Sequence, residues 1–382
     1  MRRLFGALVL LAGCLVGASA WAQTKATSAP QFEIVSIKGV CRDCRTATRL
    51  GGIAFADGRD LWALGFMPPG ETGEGDYSIL HSVDGGRSWR ELRRPWQHNL
   101  APTISFANRR DGLISLYDIG AAAPLLQVTH DGGRSWRRVS APTSSIRTIQ
   151  YFGEGETTAI GQESYAKTAM LHTTSNLEQY WESAPLPAGF WPDALRFKDN
   201  STGMVGGCLD HHLSVLATSD WGEHWSTAQL ETPTSNVDVG SGCDIVIDRI
   251  EIAPSRLYWL LARRDVYPLG PAKGFTSMWT SRDHGASWTQ VYRAEPDEPP
   301  ASFIWFDGPY WLGKDTVLVF KDGPDKIRSV LSTNDDGATW AEAHLARGLE
   351  GCAHDKLDLV CVDGDDRRGF FLARLRPAHV HP

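Results

Sequence analysis

The chain has 382 residues, with 38 Lys and Arg, 45 Asp and Glu, and a formal net charge of −7 at pH 7. The charge is uneven: residues 21–150 hold 16 basic against 12 acidic residues, and the rest of the chain is acidic. Because no dominant positive field is present, a general nucleic-acid-binding function is disfavoured. A chain of this length would ordinarily be predicted to have two domains.

The first 22 residues have the pattern of a secretory signal. Arg2 and Arg3 precede the apolar run Leu4–Val16, and Ala20-Trp21-Ala22 precedes Gln23 as a cleavage site would. The apolar run is too short for a spanning helix of about 20 residues. We therefore expect an exported protein, periplasmic or secreted, whose mature chain of residues 23–382 has no transmembrane span. Cys14 ends a Leu-Ala-Gly-Cys sequence, so a lipid anchor there is the alternative.

Without Cys14 the chain keeps six cysteines, and an even number in an oxidising compartment predicts disulfides. Cys41 and Cys44 have the CxxC spacing, for which redox or metal chemistry is the alternative, but no His or second CxxC completes a zinc site. The candidates for pairing are Cys41, Cys44, Cys208, Cys243, Cys352 and Cys361.

One motif recurs along the chain, with Asp, Gly and Trp at fixed offsets. Asp can accept hydrogen bonds from turn N–H groups, Gly can adopt the positive φ of a tight turn, and Trp supplies a large apolar face. The separations of 47, 45, 44, 63 and 52 residues indicate a propeller or a solenoid. The Asp and Trp positions are Asp84 and Trp89, Asp131 and Trp136, Asn176 and Trp181 in a degenerate copy, Asp220 and Trp225, Asp283 and Trp288, and Asp335 and Trp340.

The residues between the motifs have the pattern of strands and turns. The second unit predicts strands at Thr103–Phe106, Leu113–Leu116, Leu125–Val128 and from Arg137 to Val139, and four strands in about 45 residues make one propeller blade. The six motifs leave a seventh blade without one. Its strands fall near Gly348–His354, Leu357–Val362 and Phe370–Leu375, and Phe32–Ile37 from the other end of the chain supplies the outer strand. The sequence thus predicts an all-β, seven-bladed propeller, closed where the N-terminal strand pairs with the last blade.

That closure bears on the disulfides. Cys208 and Cys243 fall in consecutive blades, where a bond would staple the two together. Cys41 and Cys44 fall near the closure, so a bond from one of them to Cys352 or Cys361 competes with the local pairs.

The repeated motif resembles the Asp-box, or BNR, repeat of sialidases and related propellers. The succession of strand, polar turn, strand and Thr-x-Asp-x-Gly-x-x-Trp looks closest to that of photosystem II assembly-factor-like propellers, which also occur in exported bacterial proteins. The resemblance implies a non-catalytic scaffold that binds another protein or an envelope component, and it implies no cofactor or metal. The same superfamily contains sialidases and glucan hydrolases, so fold alone does not decide function.

A glycoside hydrolase is the rival interpretation. The residues Cys44-Arg45-Thr46-Ala47-Thr48-Arg49-Leu50 stand where sialidases carry an Arg-Ile-Pro motif, and that motif is missing. A pair of catalytic carboxylates remains an alternative because Asp and Glu are plentiful, but the sequence assigns no catalytic residue.

The candidate binding residues form three groups. Arginines recur at matching places in the first two blades and predict a basic patch for an acidic partner, with a solvated outer edge as the alternative. A polar loop beside Cys208 suggests metal binding only if a third ligand exists, and two tryptophans outside the motifs offer either packing or a binding face. These residues are Arg90, Arg94, Arg137 and Arg138; Asp210, His211 and His212; and Trp96 and Trp191.

Overall fold

The computed structural model describes sixteen stretches of the chain. The segment 1–22 with Cys14, and also Cys44, lie outside the described residues. Within the described residues all regular structure is β, and no helix with the length and apolar character of a membrane span is found. The described residues are 32–41, 49–57, 59–67, 76–96, 99–118, 123–161, 168–230, 243, 245–264, 275–294, 305–313, 315–322, 328–345, 349–354, 359–363 and 370–377.

The strands follow one another in groups of four. The N-terminal strand β1 is Phe32–Cys41, and the others are β2 (Arg49–Asp57), β3 (Asp60–Met67), β4 (Asp76–Ser82), β5 (Ser88–Trp96), β6 (Asn99–Phe106), β7 (Gly112–Asp118), β8 (Ala123–Thr129), β9 (Arg137–Val139), β10 (Ile146–Gly153), β11 (Glu156–Gly161), β12 (Met170–Thr174), β13 (Glu182–Pro185), β14 (Phe190–Phe197), β15 (Gly203–Leu209), β16 (His212–Thr218), β17 (Ser226–Gln229), β18 (Ile245–Ile252), β19 (Tyr258–Arg264), β20 (Phe275–Ser281), β21 (Thr289–Ala294), β22 (Trp305–Leu312), β23 (Thr316–Asp322), β24 (Arg328–Thr333), β25 (Ala341–Leu345), β26 (Leu349–His354), β27 (Leu359–Asp363) and β28 (Phe370–Pro377).

These strands form six sheets. Sheet 1 has eight strands in the order β2-β3-β4-β5-β1-β28-β27-β26, and sheets 2 to 6 are four-stranded meanders of β6–β9, β10–β13, β14–β17, β18–β21 and β22–β25. The two halves of sheet 1 meet where β1 pairs with β5 in parallel, Val40 opposite Ser88 and Cys41 opposite Trp89. The strands predicted for the second unit and for the C-terminal region are confirmed.

The N-terminal strand lies against the last strand of the chain. β1 pairs with β28 in antiparallel register from Phe32 opposite Pro377 to Gly39 opposite Phe370. The strand predicted at Phe32–Ile37 is therefore the fourth member of the β26–β28 half, and it covers the edge that β28 would otherwise expose.

Each sheet packs its two faces against two neighbours. One core cluster joins Ile160 and Leu171 of sheet 3 to Phe197 and Leu216 of sheet 4, and every other cluster spans neighbouring groups of strands in the same way. A further cluster joins Leu61 of the β2–β5 half to residues of the β26–β28 half. The first strand of each group contacts the first strand of the next group, and β26 contacts β2. Burial of apolar side chains between sheets is thus the main stabilising term.

The repeated motif forms the turn between the third and fourth strand of its group, here called the Asp hairpin. In the first Asp hairpin Asp84 Oδ1 accepts from Ser82 Oγ and from Ser88 N, both at 2.8 Å, and Oδ2 accepts from Ser88 Oγ at 2.5 Å. Gly86 N donates to Ser82 Oγ at 2.8 Å. Burial opposes ionisation of Asp84, but the hydrogen bonds from Ser88 and Ser82 outweigh it and hold the pKa of the carboxyl below its usual range.

Four other Asp hairpins repeat these contacts, except that in the fourth His224 stands in place of the second hydroxyl residue. The hydroxyl two residues before the Asp is the acceptor for the Gly N–H, and in the fourth hairpin it belongs to Thr218 rather than to the neighbouring Ser219. Gly86 shows why glycine stands two residues after the Asp. Its φ is +90°, and a Cβ there would lie 2.3 Å from Leu372 Cδ1.

The third Asp hairpin is different. Asn176 Oδ1 accepts one hydrogen bond, from Glu178 N at 3.2 Å, and no Ser or Thr hydroxyl stands four residues after it. Glu178 occupies the glycine position and its carboxylate pairs with Arg137 and His130 of sheet 2. The contacts within the turn are therefore replaced by contacts between sheets.

Two complete disulfides lie among the described residues. Cys208–Cys243 connects β15 to the segment that precedes β18, and so links sheets 4 and 5. Cys352–Cys361 is a local bond between β26 and β27. The alternative prediction of a bond from Cys41 or Cys44 to Cys352 or Cys361 is therefore wrong, because the neighbouring strands of one hairpin already bring Cys352 and Cys361 together. Cys41 is itself disulfide-bonded.

The Asp hairpins generate a stability prediction. Asp84→Ala should lower the free energy of unfolding by about 1–2 kcal/mol, because it removes an acceptor that three donors share in a half-buried turn. Asn176→Ala is the matched control and should cost clearly less, since Asn176 accepts a single long hydrogen bond. Chemical denaturation of both variants measures the difference, and equal losses would contradict the role assigned to the Asp carboxylate.

Candidate functional site

The first strands of neighbouring groups share an irregularity of register. In β10, β14 and β18 the ladder shifts between Ile146 and Thr148, between Pro192 and Ala194, and between Ile247 and Arg249. Bulges of this kind re-aim side chains and recur beside functional sites. The residues at the three shifts are Arg147, Asp193 and Asp248, all charged. Corresponding shifts occur in β2, β6, β22 and β26.

These three residues and Arg263 of β19 form an ionic group, here called the inner-strand charge cluster. Arg147 Nη2 lies 3.8 Å from Asp193 Oδ1, and Ile247 N donates to Asp193 Oδ2 at 3.2 Å. Arg263 Nε donates to Asp248 Oδ1 at 2.8 Å. The Arg147 side chain is 52% exposed and that of Asp193 is 12% exposed, so the cluster has an open arginine beside an enclosed carboxyl.

Asp193 titrates outside the usual range of a carboxyl. Burial raises its pKa to about 6, the Ile247 N–H and the Arg147 charge oppose that rise, and the Asp248 charge adds to it. A carboxyl with this pKa exchanges its proton near neutral pH, beside a second carboxylate held by Arg263. The arrangement can bind a polar or charged group, and it can supply one acid and one base.

A second ionic group lies next to it along the same strands. Arg249 Nη2 is 3.4 Å from Asp307 Oδ1, which also accepts a 2.7 Å hydrogen bond from the Tyr310 hydroxyl. Arg249 lies over the Tyr310 ring at 5.0 Å. The first strands of sheets 4, 5 and 6 therefore present paired rather than isolated charges.

The structure brings some predicted binding residues close to this cluster. Asp210 and His211 form the two-residue turn between β15 and β16, both with positive φ, and they are exposed together with His212. Trp191, 38% exposed, lies opposite Cys208 and two residues before Asp193 in β14. The polar turn and Trp191 thus share one end of sheet 4 with Asp193.

The predicted arginines lie elsewhere. Arg90 is exposed in β5, and Arg137 and Arg138 are exposed in β9, so they lie on the fourth strands of neighbouring groups. Arg137 is engaged by Glu178. The backbones of Arg94 and Trp96 belong to β5, but their side chains lie outside the described residues.

Sequence reasoning missed a cavity on the side of the Asp hairpins. It has a volume of about 450 Å³ and lies between sheets 3 and 4. Tyr180 stands where most Asp hairpins have Ser or Thr, and Trp221 stands at a variable position that is Gly in the first two Asp hairpins. These two aromatic residues were the sequence signal for the cavity. The lining residues are Glu156, Thr173, Thr174, Ser175, Tyr180, Glu182, Asp199, Asn200, Ser201 and Trp221.

One group of described residues has the spacing of metal ligands. Atoms of Asp220, Glu223 and His224 in the fourth Asp hairpin lie within 4.8 Å of one another. Asp220 Oδ1 accepts from Thr218 Oγ1 and His224 N, and Oδ2 is 2.7 Å from His224 Nδ1. The carboxylate is thus already used in the turn, and we assign no metal to it.

Comparison with known proteins identifies the fold. No family model matches the chain, and no curated protein matches it. Among solved structures, YCF48 bound to D1 peptide is 14% identical, with a TM-score of 0.57 over 94% of this chain and 99% of that one. YCF48 from Cyanidioschyzon merolae is 12% identical, with a TM-score of 0.51 over 91% and 99% of the two chains.

The β-propeller domain of the Trilobed protease from Pyrococcus furiosus is also similar, with 8% identity and a TM-score of 0.52 over 86% of this chain and 93% of that one. At these identities the likeness shows the fold alone. The chain is a β-propeller similar to YCF48, in agreement with the resemblance to photosystem II assembly-factor-like propellers.

The raised pKa of Asp193 generates a prediction for stability. A group that binds its proton more tightly in the folded state contributes stability below its unfolded pKa of about 4, and loses that contribution as pH rises through about 6. The wild type should therefore lose about 2 kcal/mol relative to Asp193→Asn between pH 4 and pH 7.

Denaturant titration at the two pH values measures this change. Asp283→Asn is the control, because the hydrogen bonds from Ser287 lower the pKa of Asp283 to about 2, so its titration falls below this window. A constant difference between wild type and Asp193→Asn would contradict the raised pKa.

Proposed function

We propose that the chain is an exported, non-catalytic scaffold that binds another protein or an envelope component, built on a single seven-bladed propeller of residues 23–382. Seven groups of four strands, contacts between successive first strands, and the pairing of β1 with β28 support a closed ring. The Asp hairpins correspond to the Asp-box repeats, and the disulfides are compatible with export. A signal peptide at residues 1–22 and the alternative anchor at Cys14 belong to the same proposal.

The inner-strand charge cluster is the observation that carries the binding function. Bulges aim charged residues from three consecutive first strands at one place, and both signs of charge are present. Charge-assisted hydrogen bonds from Arg147 and to the two carboxylates suit the polar backbone and side chains of a polypeptide. Trp191 lies close by and adds an exposed aromatic surface of the kind that anchors protein interfaces.

Two further points support a polypeptide partner. The solved structure of YCF48 holds a D1 peptide on a fold that this chain matches over nearly its whole length. The exposed arginines of the fourth strands, Arg90, Arg137 and Arg138, offer a second contact to an acidic partner, and the backbone of Arg94 belongs to the same strand as Arg90.

Selection of peptides tests this function without a known partner. A library of random twelve-residue peptides is selected on the wild type, and each recovered peptide is then measured against Arg147→Ser combined with Asp248→Asn. We expect affinities to fall by about tenfold or more, because charge-assisted hydrogen bonds are lost. Arg282→Ser is the matched control, as Arg282 is an exposed arginine paired with Asp336 in the Asp hairpins. Recovery of no peptides, or of peptides that bind the folded double variant equally well, would contradict the proposal.

Glycoside hydrolysis is a second candidate, favoured by one observation. Asp193, with its pKa near 6, resembles a general acid, and Asp248 beside it is a carboxylate stabilised by Arg263. If this candidate is right, the protein hydrolyses a member of a fluorogenic glycoside panel, and Asp193→Asn lowers kcat by about 100-fold or more. Asp283→Asn, in a structural turn, should leave kcat unchanged. A folded wild type that turns over no glycoside would contradict this candidate.

A further inference from the structure

The cavity between sheets 3 and 4, here called the hairpin-face cavity, lies at a distance from the inner-strand charge cluster. Its residues come from the third and fourth Asp hairpins with the adjoining ends of β12 and β13, from the start of β11, and from the turn that joins β14 to β15. Asp193 lies near the start of β14 and Asp199 follows its end, so the two sites lie at opposite ends of one strand. Six extended residues span about 20 Å.

Trp221 is the most unusual residue of this cavity. It follows Asp220, and the corresponding residues of four other Asp hairpins are Gly85, Gly132, His284 and Asp336, all with positive φ. Gly, Asp and His tolerate this backbone conformation, whereas a bulky side chain adopts it at a conformational cost. The Trp221 side chain is 53% exposed, so burial does not compensate that cost. Folding therefore gives no reason for a tryptophan here.

Tyr180 is a second departure from the repeated motif. It stands where the other Asp hairpins, apart from the fourth, have Ser or Thr bonded to the Asp carboxylate. Its hydroxyl lies 2.7 Å from Ser175 Oγ, and its side chain is 46% exposed. Trp221 N donates to Ser201 O at 3.1 Å, which fixes the backbone of the neighbouring turn. Two aromatic side chains that are largely exposed thus line the same cavity.

The other lining residues are acidic or hydroxylated. Glu156, Glu182 and Asp199 contribute carboxyl groups, and none of the ten lining residues is basic. Burial opposes ionisation of Asp199, but the hydrogen bonds from Ser201 and Thr202 outweigh it and lower the pKa of its carboxyl. The cavity therefore carries negative charge at neutral pH.

The combination of carboxylates and exposed aromatic rings favours one class of ligand over others. An anion would be repelled by the carboxylates, and an apolar group would desolvate them without compensation. A guanidinium or an ammonium group satisfies both features, because it interacts favourably with aromatic faces and forms charge-assisted hydrogen bonds with carboxylates. A volume of about 450 Å³ accommodates one long side chain with neighbouring backbone.

We propose that the hairpin-face cavity binds an arginine or lysine side chain of a partner polypeptide. This inference deepens the proposed scaffold function. It rests on that function because the cationic side chain is assigned to a partner polypeptide. The cavity adds a third contact, whose charge preference is opposite to that of the arginines on the fourth strands.

The test uses short capped peptides as probes. The peptide acetyl-Gly-Gly-Arg-Gly-Gly-amide, its lysine counterpart and its citrulline counterpart are titrated onto the full chain by ligand-observed NMR. Citrulline has nearly the shape of arginine without the charge. We expect saturable binding of a cationic peptide and at least threefold weaker binding of the citrulline peptide.

Variants locate the binding. Trp221→Gly introduces the residue found in the first two Asp hairpins, so it should fold at least as well as the wild type, and it should weaken binding of the cationic peptide by about threefold to thirtyfold. Glu182→Gln should weaken it as well. His284→Gly changes the same position of the fifth Asp hairpin and should leave binding unchanged.

Three results would overturn the inference: no saturable binding of either cationic peptide to the folded wild type, equal binding of the citrulline peptide, or binding that Trp221→Gly leaves intact. These results are separate from the fate of the scaffold proposal. Library peptides that depend on Arg147 and Asp248 would still support the scaffold, and only the loss of both kinds of binding would contradict both.

Discussion

The structure depends on the burial of both faces of every four-stranded group between two neighbours. A single such group exposes apolar side chains on each face, as Val215 and Leu216 of sheet 4 illustrate, and has no stable fold in isolation. Stacking buries both faces of the interior groups, but the first and last groups each retain one exposed face unless they contact each other. They meet through the cluster around Leu61 and Leu372, and the pairing of β1 with β28 holds the two ends of the chain there. The N-terminal strand therefore contributes to the stability of all the groups.

This stacking fixes where chemistry can occur. Side chains between sheets are packed and unavailable, so the candidate sites lie where the ladder is interrupted or where strands end. Arg147, Asp193 and Asp248 stand at register shifts of first strands, and Tyr180 and Trp221 stand in turns. In both places a residue that departs from the repeat alters the surface and leaves the core unchanged. The repeat supplies stability, and its irregularities supply the candidate sites.

The sequence predicted the strands of the all-β fold but neither the charge cluster nor the cavity, for one physical reason. Apolar periodicity and the Asp, Gly and Trp offsets are local signals, so the strands of sheet 2 and the individual strands β1 and β28 were recognisable from residues close in sequence. The pairing of β1 with β28 followed from the strand that the last group lacked. The charge cluster depends on bulges, which add one residue to a strand without a distinctive local pattern, and Asp193 meets Arg147 and Ile247 only through packing of three sheets. The degenerate third motif was visible in the sequence but was interpreted as decay. In the structure Glu178 binds Arg137 and Tyr180 lines a cavity, so the same substitutions have specific contacts.

The two candidate sites impose different requirements on a ligand because they lie at opposite ends of β14. The inner-strand charge cluster offers both signs of charge around a carboxyl that titrates near neutral pH, whereas the hairpin-face cavity offers only negative charge and aromatic surface. The two sites are about 20 Å apart along β14, so a ligand must span that distance to occupy both. A partner that occupies both sites must therefore be a folded protein or a long segment, and its basic side chains must face the Asp hairpins, whereas the inner-strand charge cluster accepts groups of either charge. That distribution of charge, more than any single contact, is what would distinguish a true partner from an incidental one.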